Sequence, residues 1–216
     1  MRELFYHFCR LCLVVYLRVY HRYRVYHVDR VRALAGGAIV ACNHASFLDP
    51  IAAGCAFPFA LWYLARDSLF TGSAWFGKLI AIVHAIPVSR ERLDLATLRR
   101  VKSLCGNGAR VLIFPEGTRT YDGELQPGLA GVGLFADKVD AQIIPVYIDG
   151  TYRAISRHGT WIRPAKIRVN IGTPIDIAQF RSIPSGRERY QKIADHIMLH
   201  IAELKKELAD ITGTPA

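Results

Sequence analysis

Ala38-Ile39-Val40-Ala41-Cys42-Asn43-His44-Ala45-Ser46-Phe47-Leu48-Asp49-Pro50 reads as a strand, a turn and a helix start. The first five residues form an unbroken apolar run, the pattern of a strand covered on both faces. A polar turn follows. Pro50 suits the first turn of a helix, with Asp49 as its cap. On either side the same alternation recurs. Apolar runs at 61–65, 85–88, 111–114, 143–148 and 166–171 read as further strands. Between them, 91–105 carries a helical stripe at Leu95, Leu98, Val101 and Leu104 or Cys105, stopped by Gly106. Residues 128–139 form a Gly-rich helix candidate. Residues 187–208 give the clearest helix, with Ile193, Ile197, Ile201, Leu204 and Leu208 on one face and Lys, Glu, Asp and His on the other. The expected fold is α/β: a single domain with a largely parallel β-sheet flanked by helices.

The chain has 216 residues, of which 51% are hydrophobic and 21% charged, which excludes a disordered chain or a coiled coil. Mean hydropathy is +0.17, yet no stretch of about 18 uncharged apolar residues occurs. The net charge is +10 and is unevenly placed. Residues 1–32 hold seven Arg against Glu3 and Asp29, a net of +5. Residues 153–168 hold Arg153, Arg157, Arg163, Lys166 and Arg168 with no acid, again +5. The rest of the chain is neutral, so the excess implies an anionic partner.

The N-terminus carries Leu4, Phe8, Leu11, Val15 and Val19 at helical spacing, interleaved with Arg2, Arg10, Arg18, Arg22 and Arg24. The apolar run 11–17 ends at Arg18 without a small-residue cleavage site, unlike a secretory signal. The pattern is that of an amphipathic membrane-surface helix over 1–22, ahead of a domain over 23–216. A helix packed on the domain's own core fits the same spacing. The five cysteines (9, 12, 42, 55, 105) show no zinc-like second pair, and reduced thiols are expected.

The chemistry gathers after the strands. His44 and Asp49 stand at H-x4-D spacing, and a fold-back across the turn would let the carboxylate fix the imidazole tautomer. Such a His can take a proton from a hydroxyl. Phe114-Pro115-Glu116-Gly117-Thr118-Arg119 follows another strand, presenting Glu116 and Arg119 at its rim, the Arg suited to holding a phosphate. Pro87-Val88-Ser89-Arg90-Glu91-Arg92 ends a third strand. Ile143-Ile144-Pro145-Val146 is a fourth, with a proline odd for a central strand. Gly131-x-Gly133-x-x-Ala136 matches the dinucleotide fingerprint only formally, since it lies inside a helical stretch.

Taken in order, N-H-x4-D, P-V-S-R, F-P-E-G-T-R and I-I-P-V resemble the four motifs of the glycerolipid acyltransferase family, over roughly residues 25 to 150. The resemblance implies acyl transfer from acyl-CoA or acyl carrier protein to the free hydroxyl of a lysophospholipid, with 1-acylglycerol-3-phosphate giving phosphatidate as the leading case. By resemblance His44 is the general base and Asp49 its partner. Arg90, Glu116, Gly117, Thr118 and Arg119 bind or shape the site of the acceptor phosphate. Pro145 belongs to the acyl or donor side. The family commonly carries a Lys in a segment that here reads Leu125-Gln126-Pro127-Gly128, so neutral Gln126 stands in its place.

Since a thioester is already activated, no metal and no cofactor is expected beyond the acyl donor as co-substrate. The expected partners are a membrane phospholipid surface, the lysolipid and the donor, with no nucleic acid. The expected location is the cytoplasmic face of the cell membrane, peripheral or monotopic. Two alternatives remain: a non-catalytic basic protein binding lipid or nucleic acid through 153–168, and a lipid hydrolase with water as acceptor.

Overall fold

The computed structural model describes residues 2–66, 84–88, 95–139 and 141–213. Within them, seven strands form one sheet: β1 Arg24–Tyr26, β2 Ala38–Cys42, β3 Leu61–Arg66, β4 Ala85–Val88, β5 Arg110–Ile113, β6 Gln142–Asp149 and β7 Arg168–Ile171. Their order is β1-β7-β6-β2-β5-β3-β4. The five strands from β6 to β4 run parallel, while β7 turns antiparallel to β6 and carries β1 with it. β2 pairs with β5 on one side and β6 on the other, and all five of its residues are buried. An apolar run without alternation is what such a central strand requires.

The helices are α1 Arg2–His21, α2 Asp49–Ala56, α3 Leu95–Gly106, α4 Ala130–Val139, the single turn α5 Thr151–Ala154, and α6 Arg187–Thr212. α1 and α2 cover one face of the sheet, where Leu17, Ala52, Ala53 and Phe57 pack on Val40, Cys42, Leu112 and Val146. α3, α4 and α6 cover the other, where Val101, Phe135, Ile193, Ile197 and Ile201 pack on Ile39, Ala41, Val111 and Ile143. The α6 stripe is buried as its spacing predicts, each fully covered Ile or Leu contributing about 1.5–3 kcal/mol. In α3 the stripe is rotated. Thr97, Val101 and Cys105 are buried, whereas Leu95 is 67% exposed at the helix start. Gly133 lets α4 approach α6 closely, because a Cβ there would strike the Tyr190 carbonyl. That packing, rather than a dinucleotide, explains the second glycine of the G-x-G.

α1 also departs from its simplest reading. Its core-facing side is Tyr6, Leu17 and His21, all buried. The stripe that the spacing singles out faces outward: Phe8 is 62% exposed, Leu11 61%, Val15 52% and Val19 78%. The helix is therefore apolar on two sides, one of them covered by the domain and the other bare. No described helix is long and apolar enough to cross a membrane, and all five cysteines are free.

Candidate active site

β2 hands the chain to α2 on one face of the sheet, and its neighbour β5 hands it to α4 on the other. The two loops diverge, and the crevice between their carboxyl ends is the switch point at which open α/β sheets hold ligands. The H-x4-D loop and the E-G-T-R loop meet there. Asn43 fixes the first loop to β6: its amide donates to the Ile148 carbonyl at 3.0 Å and accepts the Ile148 N–H at 2.7 Å. A side chain thus extends the β2–β6 ladder by one rung.

His44 Nδ1 lies 2.9 Å from Asp49 Oδ2. The same oxygen accepts the backbone N–H groups of Ala45 at 2.6 Å and Ser46 at 2.7 Å. Asp49 is fully buried, so these donors replace the water that an ionised carboxylate loses. This changes one expectation. Asp49 does not cap its own helix, for which Leu48 is the capping residue without a side-chain bond. It sits one position inside and turns back over the preceding turn. With Nδ1 held by the carboxylate, a neutral His44 carries its proton there, and Nε2 offers a lone pair. The ring stacks on Phe114, centroids 3.9 Å apart and planes 16° from parallel. The carboxylate and the aromatic face together fix both the tautomer and the orientation of the ring.

Ser46, the one hydroxyl side chain of the loop, is buried, and it donates to the Ile155 carbonyl at 2.7 Å. A covalent acyl-serine gains no support from that position.

The E-G-T-R loop turns on Gly117, whose φ of +66° is the left-handed conformation that favours glycine. The turn sends Glu116 inward rather than to the rim that the sequence suggests. Its side chain is buried, with Oε1 accepting the His44 backbone N–H at 3.3 Å. The Thr120 N–H in turn donates to the His44 carbonyl at 2.9 Å. Glu116 thus braces the base from behind. Burial, reinforced by the nearby Asp49 charge, pushes its carboxyl up from 4.5 to about 8, against the opposing backbone N–H groups of His44 and Gln126.

The sign of the pH effect follows from that shift. Between 4.5 and about 8 the unfolded chain releases this proton while the folded one keeps it. Stability therefore falls as pH rises through the interval, by at most about 1.4 kcal/mol per pH unit. Glu116→Gln removes this component. Thermal melts from pH 5 to 8 should show the variant gaining on the native protein as pH rises. Parallel melting curves across that range would show that Glu116 ionises normally.

Gly117 and Thr118 are exposed and Arg119 is half-buried. The Arg119 guanidinium lies 3.5 Å over the ring of Phe47, itself 59% exposed, so a cation is held at the mouth. Gln126 directs its amide at Thr120 and the Glu124 carbonyl. Arg90 lies outside the described residues.

Pro145 stands apart from this cluster. It pairs with Ala41 inside β6 and lines a cavity of about 350 Å³ with Arg30, Gly172, Thr173, His200 and Leu204 on the α6 side. A central-strand proline is accommodated because its backbone edge faces the end of β7. The Pro145 carbonyl takes the Gly172 N–H at 2.9 Å, just past the last β7 residue, so the missing proline N–H costs only the reciprocal bond at the end of the ladder.

In sequence Arg157 is marked only by its place in a charge run, yet its Nη1 donates to Thr118 Oγ1 at 3.1 Å and to the Arg119 carbonyl at 2.9 Å.

The acyltransferase family profile matches residues 22–149, more than half of the chain, including the H-x4-D and E-G-T-R loops. This chain belongs to the acyltransferase family. It is 30% identical over 204 residues to a 1-acyl-sn-glycerol-3-phosphate acyltransferase of Bacillus subtilis, covering 94% of this chain and 98% of that one. It is 26% identical to the chloroplastic 1-acyl-sn-glycerol-3-phosphate acyltransferase LPAT1 of Arabidopsis thaliana, covering 81% of this chain and 49% of that longer protein. The fold is that of the 1-acyl-sn-glycerophosphate acyltransferase PlsC of Thermotoga maritima, with a TM-score of 0.69 at 23% identity, over 95% of this chain and 83% of that one. The protein is thus an acyltransferase enzyme of α/β fold.

Proposed function

We propose that this acyltransferase moves a fatty acyl group from a thioester, acyl-CoA or acyl carrier protein, to the sn-2 hydroxyl of 1-acylglycerol 3-phosphate, giving phosphatidate. The observation that carries the reading is the Asp49–His44 pair, with Nδ1 held at 2.9 Å and Nε2 left to act. In this scheme Nε2 takes the hydroxyl proton as the oxygen attacks the thioester carbonyl. Collapse of the tetrahedral intermediate expels the thiolate, which receives a proton as the imidazolium returns to neutral. Asp49 stabilises the imidazolium while it lasts. Arg119 supports an acceptor bearing phosphate. The names of the relatives in Bacillus subtilis and Arabidopsis thaliana support the same acceptor.

The test is release of free thiol from each donor, with and without a panel of lysolipids. Thiol release that requires 1-acylglycerol 3-phosphate supports the proposal. Release with another lysolipid only would move the acceptor, release without acceptor would indicate a hydrolase, and no release would leave a lipid-binding protein.

The bare side of α1 supports action at a bilayer surface on the cytoplasmic side, where thioester donors are made. Phe8, Leu11, Val15 and Val19 suit burial at the headgroup boundary, with Arg18 and Arg22 nearby for anionic lipid. Trp161 is 82% exposed, and its neighbour Ile162 is joined to α1 by a bond from the Tyr20 hydroxyl to the Ile162 carbonyl at 3.1 Å. Deleting the helix is a poor test, because Tyr6 and Leu17 are core. The combined replacements Phe8→Ser, Leu11→Ser, Val15→Ser and Val19→Ser leave that core intact. They should weaken binding to anionic vesicles by roughly tenfold or more at an unchanged circular dichroism spectrum. Native-like vesicle binding by this variant would assign α1 to packing alone.

A further inference from the structure

Within the basic segment 153–168, Arg153 and Arg168 share the single carboxylate of Asp149, at 2.7 Å and 3.3 Å. Arg157 makes no ion pair among the described residues. It is instead drawn over the mouth of the site. Its guanidinium lies 4.2 Å over the ring of Tyr121, and its Nη1 reaches Thr118 Oγ1 and the Arg119 carbonyl. Arg119 reciprocates, with Nη1 3.5 Å from the Arg157 carbonyl and its own guanidinium over Phe47.

The two arginines therefore cross between the same two backbone segments, each steadied by an aromatic ring and by the other's carbonyl. The carboxylates on the adjoining loop are engaged elsewhere. Asp122 takes the Thr120 hydroxyl at 2.6 Å and the Glu124 N–H at 3.0 Å, and Glu124 pairs with Lys205 at 2.7 Å. The Arg157 charge at the mouth attracts an entering anion, a doubly charged one most strongly.

We propose that Arg157 is a second phosphate-binding residue of the acceptor site, forming with Arg119 a clamp for a dianionic phosphate monoester. The assignment rests on the acceptor reading above and deepens it. Both guanidiniums are pre-positioned, so little side-chain freedom is lost on binding. Their joint charge discriminates a phosphate monoester from a lysolipid whose phosphate is esterified to a cationic head group.

The test uses the full chain and the variants Arg157→Gln, Arg157→Lys and Arg119→Gln. Initial rates are measured with 1-acylglycerol 3-phosphate and with a lysolipid bearing a phosphocholine head group. Glycerol 3-phosphate, a soluble probe, is titrated separately by ³¹P NMR. Arg157→Gln should raise the KM for the phosphate monoester by about tenfold or more, weaken probe binding comparably, and leave the donor KM and melting temperature in place. Arg157→Lys should recover part of the loss. In the native enzyme the acceptor KM should fall as pH rises through the second phosphate ionisation, near 6, and this fall should be shallower in Arg157→Gln.

An unchanged acceptor KM and probe affinity in Arg157→Gln would overturn the proposal. So would a drop in kcat and melting temperature with no acceptor-specific change, which would make Arg157 a loop brace. Should the native enzyme turn over no lysolipid, the acceptor reading fails while the probe titration still decides on Arg157. In that titration, absence of native binding counts against the clamp.

Discussion

Turnover falls by ~10²–10⁴-fold when His44 is replaced by Ala, the range typical of a lost general base. The fold is expected to survive. His44 contributes to the structure mainly through its backbone, whose N–H goes to Glu116 and whose carbonyl takes the Thr120 N–H, and both bonds persist in the variant. Its ring is lost from the face of Phe114, which is partly buried already. The circular dichroism spectrum should therefore match that of the native protein, with the KM for donor and acceptor little altered. Measured as thiol release with saturating lysolipid, the defect should lie in kcat. A His44→Ala enzyme with native turnover would remove the imidazole from the reaction altogether.

Asp49→Asn should produce the second-largest loss in rate, somewhat smaller than that of His44→Ala, together with a larger loss of stability, since His44→Ala removes one donor to the carboxylate and leaves the two backbone ones. One carboxylate oxygen receives three donors in a fully buried site. The amide keeps the shape but presents a neutral oxygen to the Ala45 and Ser46 N–H groups, and charge-assisted hydrogen bonds are roughly twice as strong as neutral ones. An amide rotated to satisfy His44 places its NH₂ against those backbone donors. An amide rotated to satisfy the backbone leaves His44 without a negative partner for its imidazolium. Either way the tautomer is less firmly held. The expected signature is reduced kcat with a lower melting temperature. Equal kcat in Asp49→Asn and the native enzyme would show that the turn, and not the charge, is what His44 requires.

Much of this arrangement was legible before any coordinates. The apolar run at 38–42 is a strand with the bounds its composition marks, because a strand buried on both faces leaves no room for polar residues. The stripe of α6 was equally clear, since five Ile and Leu at helical spacing can meet a core only along one face. β1 was missed. It is three residues long, lies at the sheet edge and includes an Arg, so it carries no pattern of its own and exists through its pairing with β7. The α3 stripe is turned slightly from its spacing, with Thr97 buried and Leu95 in solvent.

Local sequence sets where strands end, which polar residues follow those ends, and that His44 and Asp49 are close enough in the chain to fold back on each other. These are local matters, governed by apolar runs, by glycine and proline, and by spacing. Tertiary structure alone decided the rest. β2 and β5 are neighbours although far apart in the chain, and their pairing brings the E-G-T-R turn under His44, which is 72 positions from Glu116. That contact buries Glu116 and turns a residue expected at the rim into a brace. The antiparallel return through β7 places residues 155–157 beside the same mouth, so that Ile155 holds Ser46 and Arg157 crosses Arg119. No periodicity encodes such meetings, because they arise from crossovers whose partners lie tens of residues apart. The bare side of α1 has the same origin: its apolar residues fall on two sides of one helix, and only the packing of Leu17 and Tyr6 on the domain shows which side is left uncovered.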